Sequence, residues 1–119
     1  MILSDTEARL DVCDLETIGR TSGQPRVLEI WFAADGDRIY LLSGGRDAAQ
    51  WVRNLQQTPR VRVRLGERWY EGSAGVIEGA ADEQRARELL ATKYQGWRVG
   101  RRLSQWARES LPVAIDLSE

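Results

Sequence analysis

The chain has no histidine, and that absence excludes more chemistry than any other feature of its composition. Ser-His-Asp catalysis, imidazole general bases and histidine metal sites all fall away. The single cysteine, Cys13, allows neither an internal disulfide nor a cysteine zinc site. It stands in an alternating apolar stretch and reads as a small core residue. Lysine is nearly missing too: Lys93 is the only one among 17 basic residues, so fixed positive charge is almost wholly guanidinium. Net charge is -1, too small for a global field that would draw nucleic acid or a membrane surface. No apolar run approaches the roughly 20 residues needed to cross a bilayer. The opening MILSDTEARLDV lacks the basic start and long apolar stretch of a secretory leader, so the default expectation is a cytoplasmic protein. No metal site is expected.

What remains is an ordinary globular composition, 42% hydrophobic and 29% charged, in 119 residues. That length suits one domain, 1–119, with one core. The inventory is poor for unaided acid–base or covalent catalysis. It suits a protein that borrows its reactivity from a bound cofactor and itself supplies shape, hydrogen bonds and fixed charge. A ligand binder without catalysis fits the same inventory.

Along the chain, strand-like segments dominate. Residues 11–18 read as a first strand, and Gly19, Gly23 and Pro25 break it into a turn. Residues 27–35, VLEIWFAAD, set Leu28, Ile30 and Phe32 against Val27, Glu29 and Trp31, a period-two strand. Asp35-Gly36 is a hairpin signal leading into a partner strand over 38–43. Asp47 is placed to cap a helix over 48–57, which Thr58-Pro59 ends. RVRVRL at 60–65 alternates valine and leucine with arginine. A two-residue turn at Gly66-Glu67 would set Arg62 opposite Glu71 and Arg64 opposite Trp69 in a strand over 68–78. Those arginines read as ladder partners, with a polyanion track as the other reading; no nucleic-acid partner is expected. Helices over 81–94 and about 99–108 precede a last strand at 111–117. Six strands without strictly alternating helices predict a mainly β (α+β) fold, a six-stranded and mostly antiparallel barrel with about three helices.

Two polar turns raise the functional question. In GRTSGQPR, residues 19–26, glycines allow backbone N–H groups to converge, and Arg20 and Arg26 can fork a phosphate or carboxylate. Thr21 and Ser22 add hydroxyls. The other reading is a plain hairpin loop. The second turn, Ser43-Gly44-Gly45, leads into a helix and offers the positive end of its dipole. There the other reading is a linker whose helix end Asp47 already occupies.

Several ordered segments together carry a resemblance: LETIGRTSGQPRV, LLSGG, WVRNLQQTPRVRV and LPVAIDL. The chain resembles the deazaflavin-dependent nitroreductase family over residues 15 to 117, most specifically in GRTSGQPR and in the spacing of Trp51, Asn54, Leu55 and Pro59. The resemblance implies a split β-barrel, coenzyme F420 as cofactor, and hydride delivery to a quinone, nitroaromatic or activated alkene. It implies that Arg20, Thr21, Ser22, Gly23 and Arg26 hold the phosphate or the acidic tail. Ile30 and Trp31 would lie against the ring, and Ser43, Gly44, Gly45, Trp51 and Asn54 would form a second cofactor-contacting segment. Trp31, Tyr94 and Trp97 would line a substrate pocket, with Tyr94 as a proton donor or simply a packed residue.

Thr21 stands where the family usually has lysine, and Arg46 is the nearest substitute for a second lysine. The lost charge keeps FMN open as the alternative cofactor. A non-enzymatic carrier of a lipid, quinone or haem-like ligand is the remaining rival. Expected partners are a small-molecule electron acceptor, with peripheral contact to membrane quinones. A homodimer is also expected, because the short segment before the first strand leaves little to cover that face.

Overall fold

The computed structural model describes residues 2–118. A four-residue helix, α1 (Asp5–Ala8), precedes β1 (Cys13–Ile18), β2 (Pro25–Ile30), β3 (Ala33–Asp35) and β4 (Arg38–Ser43). A short 3-10 turn, Arg46–Ala48, leads to α2 (Gln50–Gln57), then β5 (Arg60–Leu65) and β6 (Arg68–Val76). The chain continues through α3 (Ala80–Gln95), α4 (Gln105–Glu109) and β7 (Leu111–Ser118). All the strands form one antiparallel sheet in the order β2-β1-β5-β6-β7-β4-β3, curled so that its inner face holds the core.

The alternating arginines of β5 show how sequence sets register. Gly66 adopts φ 66°, in the left-handed region a tight hairpin needs. The turn places Arg62 opposite Glu71 and Arg64 opposite Trp69, as the two-residue turn requires. Val61, Val63 and Leu65 then point inward and are buried. The arginines pair along the outer face: Arg60 with Glu71 at 3.5 Å, Arg62 with Glu16 at 3.4 Å, and Arg64 Nε with Asp14 at 2.9 Å. Arg62 also lies 4.5 Å from the Trp69 ring centroid. Such exposed pairs are worth about 0–1 kcal/mol each and serve register more than stability.

Among the described residues the sheet has seven strands, where the sequence pattern predicts six. The difference lies in one segment. Residues 27–35 alternate as a single strand, yet the chain bends at Trp31-Phe32, so β2 pairs with β1 at one edge while β3 pairs with β4 at the other. One run of chain therefore bridges the two edges of the sheet and closes the barrel. The bend takes Phe32 out of both ladders, and its backbone groups need other partners. Helix α3 supplies them. The Phe32 amide donates to Tyr94 Oη at 3.0 Å, and the Phe32 carbonyl lies 2.9 Å from both Tyr94 Oη and Lys93 Nζ. Lys93 also donates to the Leu10 carbonyl at 2.7 Å and sits 3.7 Å from the Phe32 ring centroid. Burial holds its ammonium below the usual lysine pKa. The lone lysine is thus part of a clasp across the split.

Among the described residues four helices form, against about three expected. The unforeseen α1 has a capping box: the Ser4 hydroxyl accepts from the Glu7 amide, and the Glu7 carboxylate accepts from the Ser4 amide. It covers the base of the barrel, where Leu3 is buried and Glu7 accepts a hydrogen bond from Tyr70 Oη at 2.7 Å. The helix expected over 99–108 shrinks to Gln105–Glu109. Gly100, at φ 92°, cannot continue a right-handed helix, and Ser104 caps the helix that follows. Helix α3 packs Ala86 and Leu90 against Tyr40 and Leu42 outside the barrel, forming a second small core. Buried Arg87 donates to the carbonyls of Ala107 and Ser110, both at 2.8 Å, satisfying the end of α4.

Two outcomes follow for stability. Tyr94→Phe should lower the unfolding free energy by about 1–3 kcal/mol, because it leaves the Phe32 amide without its partner; urea denaturation measures this. Burial alone would raise the Glu7 pKa, but hydrogen bonds from Ser4 and Tyr70, with Arg68 nearby, outweigh it and hold the group below the usual 4.5. A depressed carboxylate stabilises the fold above its unfolded pKa and loses that contribution as pH falls through its folded value. Glu7→Gln should therefore melt below the wild type at pH 7, and the gap should close as pH drops below about 4.5.

Candidate functional site

The turn between β1 and β2 is a closed loop. The Gly19 amide donates to the Gln24 carbonyl and the Gly23 amide to the Gly19 carbonyl, both at 2.8 Å. A Cβ added at Gly19 would lie 2.7 Å from Ser22 Oγ and 3.3 Å from the Gln24 carbonyl oxygen, so a larger residue there would displace the serine hydroxyl. Gly23, at φ 70°, makes the exposed bend. The Ser22 hydroxyl accepts from the Gln24 amide at 3.1 Å and faces Arg26 Nη2 at 3.4 Å.

Asn54 ties this turn to α2. Its side chain is buried, with Oδ1 accepting from the Arg20 amide at 3.2 Å and the Arg20 guanidinium at 3.0 Å, while Nδ2 donates to Thr17 Oγ1 at 3.2 Å. Gln57 adds a bond to the Arg20 carbonyl at 3.2 Å. Asn54, expected to touch cofactor, is therefore also the joint that fixes Arg20 relative to the helix.

Between turn and helix lies a cavity of about 620 Å³, walled by Arg20, Thr21, Ser22 and Arg26 on one side and by Gln50, Trp51 and Asn54 on the other. Among the described residues, no carboxylate lies within 4.0 Å of Arg20 or Arg26. Helix α2 begins at Gln50, two residues later than expected, and no side chain caps it. Asp47 lies in the 3-10 turn, so its carboxylate does not occupy the helix end. Two guanidiniums with neutral partners only, and the first turn of an uncapped helix, thus border one space, an arrangement suited to an anion.

Ser43, Gly44 and Gly45 do not line this cavity. Ser43 is buried, and its hydroxyl donates to the Arg46 carbonyl at 2.9 Å. A Cβ on Gly44 would meet Trp106, and one on Gly45 would meet Ala49. The three residues shape the approach to α2 and stand outside the walls of the cavity. Arg46, the candidate replacement for a family lysine, donates to the Glu109 carbonyl.

A second cavity of about 280 Å³ surrounds Trp31 and is lined by Val12, Glu29, Ile30, Leu42 and Trp106. Trp31 is 46% exposed even though it stacks on Tyr94, with centroids 4.3 Å apart and planes 4° from parallel. Trp106 meets it edge-on at 5.6 Å. The resemblance implies Trp97 at this pocket. Its indole instead donates to the Arg101 carbonyl at 2.8 Å, and Trp106 takes the position beside Trp31. Tyr94 Oη is engaged by Phe32 and by the Asp11 carbonyl at 2.7 Å. Burial pushes its pKa to about 12, so it gives up a proton less readily than an ordinary tyrosine.

Solved structures with this fold come from diverse sources. A conserved hypothetical protein from Mycobacterium tuberculosis aligns with TM-score 0.80 and 22% identity, over 100% of this chain and 83% of its own. A protein described as an F420 reductase aligns with TM-score 0.64 and 20% identity, over 99% and 97%. A heme storage protein from Vibrio cholerae aligns with TM-score 0.72 and 15% identity, over 97% and 87%. Identities this low establish the split-barrel architecture alone. The family model for F420H(2)-dependent quinone reductase matches residues 5–118. The chain therefore belongs to the F420H(2)-dependent quinone reductase family, whose cofactor is coenzyme F420.

Proposed function

We propose that this protein reduces a quinone with coenzyme F420, holding the cofactor along β2. The observation that carries the reading is the cavity where Arg20 and Arg26, free of carboxylate partners, face the uncapped start of α2. The residues fit the cofactor's acidic part. Arg20 and Arg26 would hold its phosphate and tail carboxylates by charge-assisted hydrogen bonds, with Thr21, Ser22 and Gly23 forming the bend. Strand β2 runs from this cavity to the next: Val27 and Leu28 line the first, and Glu29, Ile30 and Trp31 line the second. At roughly 3.3 Å per residue, Val27 to Trp31 spans about 13 Å, a length suited to an elongated cofactor. The reduced deazaflavin supplies a hydride when bound.

The chain's own residues bind and orient. Trp31, held flat by Tyr94 and edge-on by Trp106, gives the second cavity an aromatic wall for a planar acceptor. Tyr94 acts here by bracing Trp31 and Phe32. The proton that completes quinone reduction is assigned to solvent, which reaches the exposed Trp31.

Fluorescence titration with F420 tests the binding site, and consumption of reduced F420 with a water-soluble quinone tests the reaction. Arg26→Ala is the cleaner probe, because Ser22 is that guanidinium's hydrogen-bond partner, whereas Arg20 also anchors Asn54. Each substitution should weaken F420 binding by about 1–3 kcal/mol, or roughly 5- to 150-fold. Arg60→Ala, on the outer ladder, should leave binding unchanged. Preferential FMN binding would overturn the cofactor assignment to this cavity. F420 binding without turnover on any quinone would turn the reading toward a carrier.

A further inference from the structure

Residues 97–109, WRVGRRLSQWARE, carry four arginines and one glutamate, a charge of +3. The remaining residues have 17 - 4 = 13 basic and 18 - 1 = 17 acidic side chains, a charge of -4. Residues 60–68 carry the same excess of +3, and outside these two segments the protein is acidic.

The fold gives the start of this segment a fixed shape. Helix α3 ends at Gly96 in the left-handed conformation. The Arg101 amide then donates to the Arg98 carbonyl at 3.1 Å, closing a turn with Val99 and Gly100 at its tip; Gly100 has φ 92°. The Trp97 indole bonds across the turn to the Arg101 carbonyl, and Ser104 Oγ donates to Gln95 Oε1 at 2.8 Å. Val99 is thereby held 91% exposed, against 56% for Val27, 46% for Trp31 and 37% for Trp69. Arg98, Arg101 and Arg102 are exposed around it, and no carboxylate among the described residues lies within 4.0 Å of any of them. The β5 arginines, in contrast, are all paired.

A turn that only connects two helices gains nothing from an apolar tip; small polar residues and glycine serve better in water. The geometry points to this turn as a docking surface for an anionic lipid bilayer, with Arg98, Arg101 and Arg102 against lipid phosphates and Val99 among the headgroups. Two features favour a bilayer over a nucleic acid. A phosphate backbone offers a valine nothing, whereas an interface accepts apolar and cationic groups side by side. In addition, the acidic remainder of the surface would oppose a polyanion that wrapped around the protein but not a plane touched at one point. The turn connects Tyr94 to Trp106, the two aromatic neighbours of Trp31, so docking there would set the second cavity close to the membrane. The proposal stands on the turn alone and needs no reductase activity.

Co-sedimentation of the full chain with vesicles tests it, using phosphatidylcholine alone or mixed with phosphatidylglycerol. The wild type should sediment with the mixed vesicles only, and less so as salt rises. The triple variant R98Q/R101Q/R102Q should lose tenfold or more of its partition, on the scale of roughly fivefold per basic residue at an anionic surface. Val99→Asp should lose several-fold with every arginine kept. The paired arginines provide the control, so R60Q/R64Q should sediment like the wild type. Equal sedimentation of wild type and triple variant, equal binding to neutral vesicles, or retention on heparin without vesicle binding would each overturn the assignment. F420 affinity is measured on the same proteins. A loss in the triple variant would assign these arginines to the cofactor and also overturn it, whereas a wild type that binds vesicles but not F420 would fail the reductase reading alone.

Discussion

The barrel closes only because a break in one strand is stitched from outside the sheet. Phe32 lies between two ladders and belongs to neither, so its amide and carbonyl would be buried without partners. Leaving such groups unpaired costs about 1–3 kcal/mol each, a sizeable share of a small domain's net stability. Tyr94 and Lys93 remove that cost from consecutive positions on α3. The same two residues fix what lies beside the break: Tyr94 stacks under Trp31, and Lys93 reaches the Leu10 carbonyl in the segment leading from α1. The aromatic wall of the second cavity is therefore a by-product of how the barrel is closed.

Arginine carries nearly all the positive charge, and its partners decide what each one can do. On β5 every guanidinium has a carboxylate from a neighbouring strand, and Arg38 holds both Asp82 and Asp116. Those side chains are spent on register and on locking α3 to the sheet. Arg20 and Arg26 have only neutral partners, Asn54 and Ser22, which orient a guanidinium without cancelling its charge. A neutral hydrogen-bond acceptor behind a cation keeps it aimed and available. Pairing, more than the number of arginines, separates the outer ladder from the cavity beside α2.

Much of this was legible in the sequence, and the gaps have physical reasons. Strict alternation in β5 and the Gly66-Glu67 turn set a register that the structure reproduces pair by pair. The barrel class followed from strand count and order, and the turn carrying Arg20 and Arg26 was marked by its glycines. The break at Trp31-Phe32 was not legible, because the alternation of apolar residues continues straight through it; the cause is a tertiary contact 62 residues away in sequence. Helix α1 did leave a signal, the Ser4-x-x-Glu7 capping box, hidden by its four-residue length. Trp106 replaced Trp97 beside Trp31 because Gly100 ends helical continuity and moves the next helix to Gln105. Asp47 looked like a cap, but the 3-10 turn shifted the start of α2 past it.

The joint at Asn54 connects these points. One buried amide accepts from the backbone and side chain of Arg20 and donates to Thr17, linking β1, the glycine turn and α2 in a single set of bonds. A buried asparagine is costly unless its hydrogen bonds are met, so this one specifies an arrangement in addition to stabilising it. If the turn moved relative to the helix, Asn54 would lose partners. The two walls of the first cavity therefore keep their spacing before any anion arrives, and an anion that enters meets donors already in place. Preorganisation of this kind lowers the entropic cost of binding, and under the proposed reading it would let a chain without imidazole hold a cofactor that brings its own chemistry.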